Sequence, residues 1–313
     1  MRVGVIDLGT NSIRFDIHEI QGAGEIKCLQ RYKEMVRLGD EVFRTSKLQE
    51  LAIQRSIEAL QKFTRLMKKE GVSEIIAAAT SAVREAKNAN EFLKRVKRDV
   101  GLDIQVISGR EEARLIMKGI RAFDQRASNS FAFVDIGGGS TEIGVFHDKK
   151  VLFSESFALG AARLRQMMKF YPPTTEDVEL IRAHIRTSLG AVKGFKDWPK
   201  IQLVLGASGT VKAIAKLIKT LGHGDSIQKK DLKNLMKNMI PLRQEELLHI
   251  PGMEEKRVDI ILSGSILLEE VMDFLGSRSV SRTKFALREG LLQQKIEEIE
   301  ATQKGRWGLP LLL

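Results

Sequence analysis

Apolar residues follow two rhythms along the chain. Short unbroken apolar runs bounded by polar turns predict strands; apolar residues three or four apart predict helices. Residues 3–15 read VGVIDLGTNSIRF: an apolar strand, a polar turn, a second apolar strand. Residues 132–146, AFVDIGGGSTEIGVF, repeat that order about one domain's length later, aligning Asp7 with Asp135, Gly9 with Gly137 and Ser12 with Ser140. Each copy predicts a β-hairpin with Asp, Gly and Ser at its tip. The rest alternates between the two rhythms. Ile53, Ile57, Leu60, Phe63 and Met67 predict a helix over 48–67; EIIAAA predicts a buried strand over 74–79, with a helix start at Thr80-Ser81. A basic helix over 88–100, a strand over 104–107 and a helix over 109–123 follow. The second half predicts strands over 150–157 and 201–205 and helices over 175–192, 258–275 and 286–299. The 258–275 helix is apolar enough to be buried. Residues 305–313 show no readable structure. The polar stretch 124–130 lacks an apolar period, which divides the chain into domains 1–124 and 125–313.

A length of 313 residues agrees with two domains. Apolar residues make up 43% and no run approaches the roughly 20 needed to span a bilayer. The N-terminus enters a strand at once and reaches Asp7, so no signal peptide is expected. One cysteine, Cys28, excludes an internal disulfide and a cysteine-only metal site. A cytoplasmic location and no membrane partner are expected. The net charge of +11 favours a polyanionic partner. Aromatics are only 6%, so base-stacking platforms are scarce and no stable nucleic-acid binding is expected.

Gly9, Thr10, Asn11 and Ser12 in the first turn, and Gly137, Gly138, Gly139 and Ser140 in the second, offer backbone N–H groups and hydroxyls to an anion. Asp7 and Asp135 would repel phosphate and instead suit Mg²⁺, a hard cation held by carboxylates, water and phosphate oxygens. Gly206, Ser208, Gly209 and Thr210 lie between a strand and a helix, where the helix N-terminus favours an anion. Ser108 and Glu111 fit a capping box, which gives Glu111 a structural task. Glu112 is left over. On position alone it reads first as a solvated glutamate favoured by the helix dipole, and second as a carboxylate that positions a water. Arg14, Arg84, Arg163 and Arg288 are candidate phosphate contacts, since a guanidinium binds phosphate with two N–H groups. The five histidines show no metal-ligand spacing.

Taken in order, Asp7-Leu-Gly-Thr-Asn-Ser12, Thr80-Ser-Ala-Val-Arg84, Ile107-Ser-Gly-Arg-Glu-Glu112, Val134-Asp-Ile-Gly-Gly-Gly-Ser-Thr-Glu142, Gly206-Ala-Ser-Gly-Thr210 and Ala286-Leu-Arg-Glu-Gly290 resemble the exopolyphosphatase and guanosine pentaphosphate phosphohydrolase family over nearly the whole chain. The resemblance implies an α/β fold of two actin-like domains with the active site in the cleft between them. It implies release of orthophosphate from inorganic polyphosphate, or conversion of pppGpp to ppGpp, with Mg²⁺ or Mn²⁺, by a homodimer. Carried over by motif, the catalytic glutamate falls on Glu112. Asp135 and Glu142 match the carboxylates that hold metal and water, with Asp7 as a further metal ligand. Gly9 to Ser12 and Gly137 to Ser140 match the phosphate loops. Arg84 matches a basic position near the cleft, and Arg288 the arginine of the last motif. Longer members carry a C-terminal helical extension, and this sequence stops at Leu313 without it, from which distributive cutting of long polymers is expected. The alternatives are a small-molecule kinase of the same superfamily, a polyphosphate or nucleotide sensor without catalysis, and a nucleic-acid binder.

Overall fold

The computed structural model describes residues 1–21, 25–192 and 198–307. β1 (Arg2–Leu8) and β2 (Ser12–Ile20) form the first hairpin, with Asp7 opposite Arg14. The Gly9 N–H closes its tip by donating to the Ser12 carbonyl at 3.2 Å. β3 (Ile26–Met35) pairs antiparallel with β2, while β4 (Glu74–Ala79) and β5 (Gln105–Val106) extend the other side in parallel. The order is β3-β2-β1-β4-β5.

The second repeat builds the same object. β6 (Ser130–Ile136) and β7 (Thr141–His147) pair with Asp135 opposite Glu142, and the Gly137 N–H donates to the Ser140 carbonyl at 2.9 Å. β8 (Lys150–Phe157), β9 (Val204–Ala207), β10 (Ile227–Gln228) and β11 (Ser279–Arg282) complete the sheet β8-β7-β6-β9-β11-β10. Its first five strands match the first sheet in order and direction. The sequence repeat is therefore a repeat of the sheet, and the architecture is the duplicated actin-like one.

The helices are α1 (Val42–Thr45), α2 (Glu50–Lys69), α3 (Ser81–Glu85), α4 (Ala89–Val100), α5 (Gly109–Phe123), α6 (Ala161–Arg165), α7 (Thr175–Gly190), α8 (Ser208–Thr220), α9 (Lys229–Met239), α10 (Gln244–Leu247), α11 (Ile261–Phe274) and α12 (Leu287–Trp307). The predicted stripe of α2 packs on Phe15 and Ile17. α11 is buried along most of its length, as its apolar composition requires. Gly206 and Ala207 belong to β9, so the turn expected at 206–210 is the abrupt start of α8 at Ser208. β3, β10 and β11 carry too many polar residues for a strand rhythm to stand out, while α9 does carry Leu232, Leu235, Met236 and Met239 at helical spacing, a helix absent from the elements predicted above. Of the tail 305–313, α12 takes in residues up to Trp307, and 308–313 lie outside the described residues.

Beyond the core of each half, a third core joins them. Val3, Val5 and Ala78 from the first sheet and Phe131, Phe133 and Leu205 from the second meet Leu115 and Ile116 of α5 and Leu287 and Leu291 of α12. Burying one such side chain stabilises the fold by roughly 1.5–3 kcal/mol. α12 crosses α5 closely: any side chain at Gly290 would overlap the Leu115 carbonyl. That crossing brings the start of α12 and the start of α5 to the end of the sheets where both hairpin tips lie. No helix among the described residues is long and apolar enough to cross a membrane.

Candidate active site

The two hairpin tips touch. A Cβ on Gly138 would stand 2.8 Å from Thr10 Cβ, so only glycine lets the second tip reach the first. Beneath them lies a cleft of about 650 Å³, its mouth included. Asp7, Gly9, Thr10, Asn11, Ser12 and Arg14 line it from the first repeat, and Asp135, Gly137, Gly138, Ser140 and Glu142 from the second. Glu112 enters from α5, and Ser208, Gly209 and Thr210 from the start of α8.

The cleft concentrates buried carboxyls. Glu112 is 7% exposed, and its Oε2 accepts from Arg84 Nη1 at 3.0 Å. The same Nη1 donates to the Ile107 carbonyl at 3.0 Å, which fixes the guanidinium to the chain just ahead of α5. Burial pushes Glu112 up to about 7, against the attraction of Arg84 and with help from the charges of Asp7 and Asp135. Burial likewise lifts Asp135 to about 6, opposed by Arg14 and assisted by Asp7 and Glu289. Asp7 is raised by burial, opposed by Arg14, which lies 4.0 Å away, and by Arg288. Glu142 is held well above the carboxylate range by burial and by Glu112 and Asp135, although Ser156 Oγ donates to its Oε1 at 2.7 Å. Four carboxyls around one polar cavity make a place for protons, or for a cation that replaces them.

The sequence profile of the Ppx/GppA phosphatase family matches residues 17–299. The chain belongs to this family. It is 27% identical over 305 residues to exopolyphosphatase 1 of Mycobacterium leprae, covering 95% of this chain and 90% of that one. A bifunctional 3-dehydroquinate synthase/phosphatase of Fusobacterium nucleatum is 30% identical over 289 residues, 87% of this chain and 43% of that longer protein. The crystal structure of an exopolyphosphatase from Cytophaga hutchinsonii superposes with a TM-score of 0.87 at 27% identity, covering 95% and 98% of the two chains. The Aquifex aeolicus Ppx/GppA family member gives 0.76 at 28% identity, covering 95% and 98%. Membership in the Ppx/GppA family makes the chain a phosphohydrolase by kinship.

Within this Ppx/GppA fold, not every expected residue reaches the cleft. Arg288 pairs with the buried Asp16 and lines a neighbouring cavity instead. Arg163 holds the second hairpin: its Nε donates to the Gly139 carbonyl at 2.7 Å, its Nη2 donates to Glu85, and it covers the Phe43 ring. Gly139 packs behind the tip against Phe43 and Ser81, and Gly206 under Val280. At α8, Ser208 takes a left-handed φ of 83°, and its Oγ accepts from the N–H groups of Thr210 and Val211 at 3.1 and 3.3 Å. Those two amides are therefore capped by the protein itself. The capping box at α5 is half formed. Ser108 Oγ accepts from the Glu111 N–H at 3.1 Å, but the Glu111 carboxylate turns to Arg114 at 2.6 and 2.7 Å. The oxygens of Asp7, Asp135 and Glu142 do not all come within 4.8 Å of one another.

Sequence reasoning missed Arg257. It is 6% exposed, lies against Gly209 and lines the cleft, and burial together with Arg14 lowers its pKa. Its surroundings, Glu254-Glu-Lys-Arg257, read as surface charge, and nothing local marks it.

Proposed function

We propose that the chain hydrolyses the terminal phosphoanhydride of inorganic polyphosphate, with Glu112 receiving the proton of the attacking water. The observation that carries this reading is a basic cavity of about 1150 Å³ that opens beside the cleft. The two share Arg14, Ser208, Gly209, Arg257 and Ala286. Arg14, Arg31, Lys33, Lys212, Arg257, Arg282, Lys284 and Arg288 line the basic cavity, with Glu254 the only acid among the described residues there. A carboxyl-lined cleft that opens into a cavity of cations, two of which (Arg31 and Arg288) already pair with carboxylates, suits a chain of phosphates. Tyr32 and Phe285 also line the cavity. Tyr32 stacks on Phe15 at 5.8 Å; Phe285 packs on Phe123 at 5.9 Å with Lys284 Nζ 5.2 Å from its ring centroid. Both rings are engaged, which favours inorganic polyphosphate over a guanine nucleotide.

The hairpin tips and their hydroxyls hold the terminal phosphate, and Arg14 and Arg257 the next ones. Arg84 keeps the Glu112 carboxylate oriented. A pKa near 7 leaves Glu112 a base at neutral pH and above, matched to proton transfer. Water oxygen bonds to the terminal phosphorus, the bridging P–O bond breaks, and the bridging oxygen leaves with the shortened chain. The hard oxygens of Asp7, Asp135 and Glu142, each destabilised as an anion by its neighbours, suit Mg²⁺ or Mn²⁺ bound through one or two carboxylates and water. Such an ion, when bound, supplies charge neutralisation at the phosphate oxygens.

Comparing kcat/KM for polyphosphates of defined length and for pppGpp tests the substrate. We expect polyphosphate to lead by at least about tenfold, or 1.4 kcal/mol. Lys33 is exposed as a residue, yet partial desolvation in the cavity, with Arg257, Arg14 and Lys212 beside it, lowers its pKa to about 8. It is cationic below that value, so KM for polyphosphate rises as pH climbs through it, and Lys33→Ala removes that rise. A preference for pppGpp contradicts the reading.

A further inference from the structure

We propose that Asp16, His18 and Cys28 form a binding site for a thiophilic divalent metal, of which Zn²⁺ is the type. Asp16 and His18 stand two apart on β2, and Cys28 lies opposite His18 on β3, where a bulge after Ile17 shifts the register. Their donor atoms lie within 4.8 Å of one another, the only such set among the described residues. Asp16 is 0% and His18 4% exposed. Asp16 Oδ2 and His18 Nε2 have no hydrogen-bond partner and face each other at 3.7 Å. Orphaned buried polar atoms are uncommon in native folds and call for an occupant. Zinc bonds of about 2.0 Å to nitrogen or oxygen and 2.3 Å to sulfur place tetrahedral ligands roughly 3.3–3.8 Å apart. The Asp16–His18 separation already fits, and Cys28, which is exposed, needs only a side-chain adjustment and leaves a route in from solvent.

The charges permit it. Arg288 binds Asp16 through Oδ1, leaving Oδ2 for the ion. Arg31 is the present neighbour: its Nε donates to Cys28 Sγ at 3.2 Å and stands 3.6 Å from Asp16 Oδ2. Its Nη2 also donates to Glu289 at 3.3 Å, so a displaced guanidinium keeps a carboxylate. As the metal binds, Cys28 releases its thiol proton to solvent. Thiolate and imidazole select zinc-like ions over Mg²⁺, which separates this site from the carboxyl cleft.

The test titrates untagged protein with Zn²⁺ by calorimetry and records the absorption of the Co²⁺ complex. With excess Mg²⁺ present to fill the carboxyl cleft, wild type is expected to bind one equivalent, with a sulfur-to-cobalt charge-transfer band that the Mg²⁺ does not displace. Cys28→Ser, at an exposed position, is expected to melt like wild type without metal, lose the band and bind Zn²⁺ more than about 100-fold more weakly, beyond the loss typical of an outer partner. Should that variant fail to fold, the wild-type band decides alone. Equal Zn²⁺ affinity in a folded Cys28→Ser protein, a Co²⁺ complex without the band, or displacement by Mg²⁺ overturns the proposal.

Discussion

A Glu112→Gln protein is expected to release phosphate at least about 100-fold more slowly than wild type while still binding substrate, since a lost general base costs about 10²–10⁴-fold. Glutamine keeps the size and can still accept from Arg84, so the 3.0 Å contact survives and only basicity is lost. Glu111→Gln is the control one residue away. Its carboxylate pairs with Arg114 on the surface, a contact worth about 0–1 kcal/mol. The cap from Ser108 uses the Glu111 backbone and stays. With Glu112 at about 7, kcat/KM at fixed Mg²⁺ rises as pH increases through that value, because the ionised form is the active one. Kinetics of both variants decide the assignment: an inactive Glu111→Gln beside an active Glu112→Gln reverses it.

Removing the divalent cation is expected to abolish turnover, and Asp135→Asn to raise the Mg²⁺ concentration for half-activation at least about tenfold, the lower scale for a weakened metal site. Ser140→Ala, which removes no charge, shifts it less. Protons compete with the ion. Asp135 is raised to about 6 and Glu112 to about 7, so the folded protein holds protons that the unfolded chain has released. These raised groups contribute stability below the ordinary carboxyl range, and it is lost as pH rises through about 6 to 7. Mg²⁺ restores it by replacing the protons. The gain in melting temperature on adding Mg²⁺ is therefore larger above pH 7 than below pH 6. Full activity in excess EDTA contradicts the role given to the carboxyls.

The hairpins were legible because their information is local: an apolar strand, a turn and a second strand fit within about fifteen residues, and the copy at Asp135 repeats the first at Asp7. Glu112 was legible only through the family resemblance: position alone reads it first as a solvated glutamate, whereas the structure buries it, and Glu111 completes no capping box. Arg257 and the pairing of Arg288 with Asp16 were not legible, since each depends on segments far apart in sequence meeting at the cleft. Cys28 likewise meets Asp16 and His18, two residues apart on β2, only through the pairing of β2 with β3. The crossing of α12 over α5 left one mark, Gly290, whose need for a bare backbone appears only once Leu115 is beside it.

The central claim is that water attacks the terminal phosphorus of a phosphate chain in this cleft. Hydrolysis of tripolyphosphate in ¹⁸O-labelled water with Mg²⁺, read by mass spectrometry after the first turnover, tests it most directly. The account predicts one ¹⁸O in the released orthophosphate, none in the pyrophosphate, and loss of both products' formation in Glu112→Gln. Label in the pyrophosphate, or phosphate transfer only when an acceptor other than water is added, contradicts it.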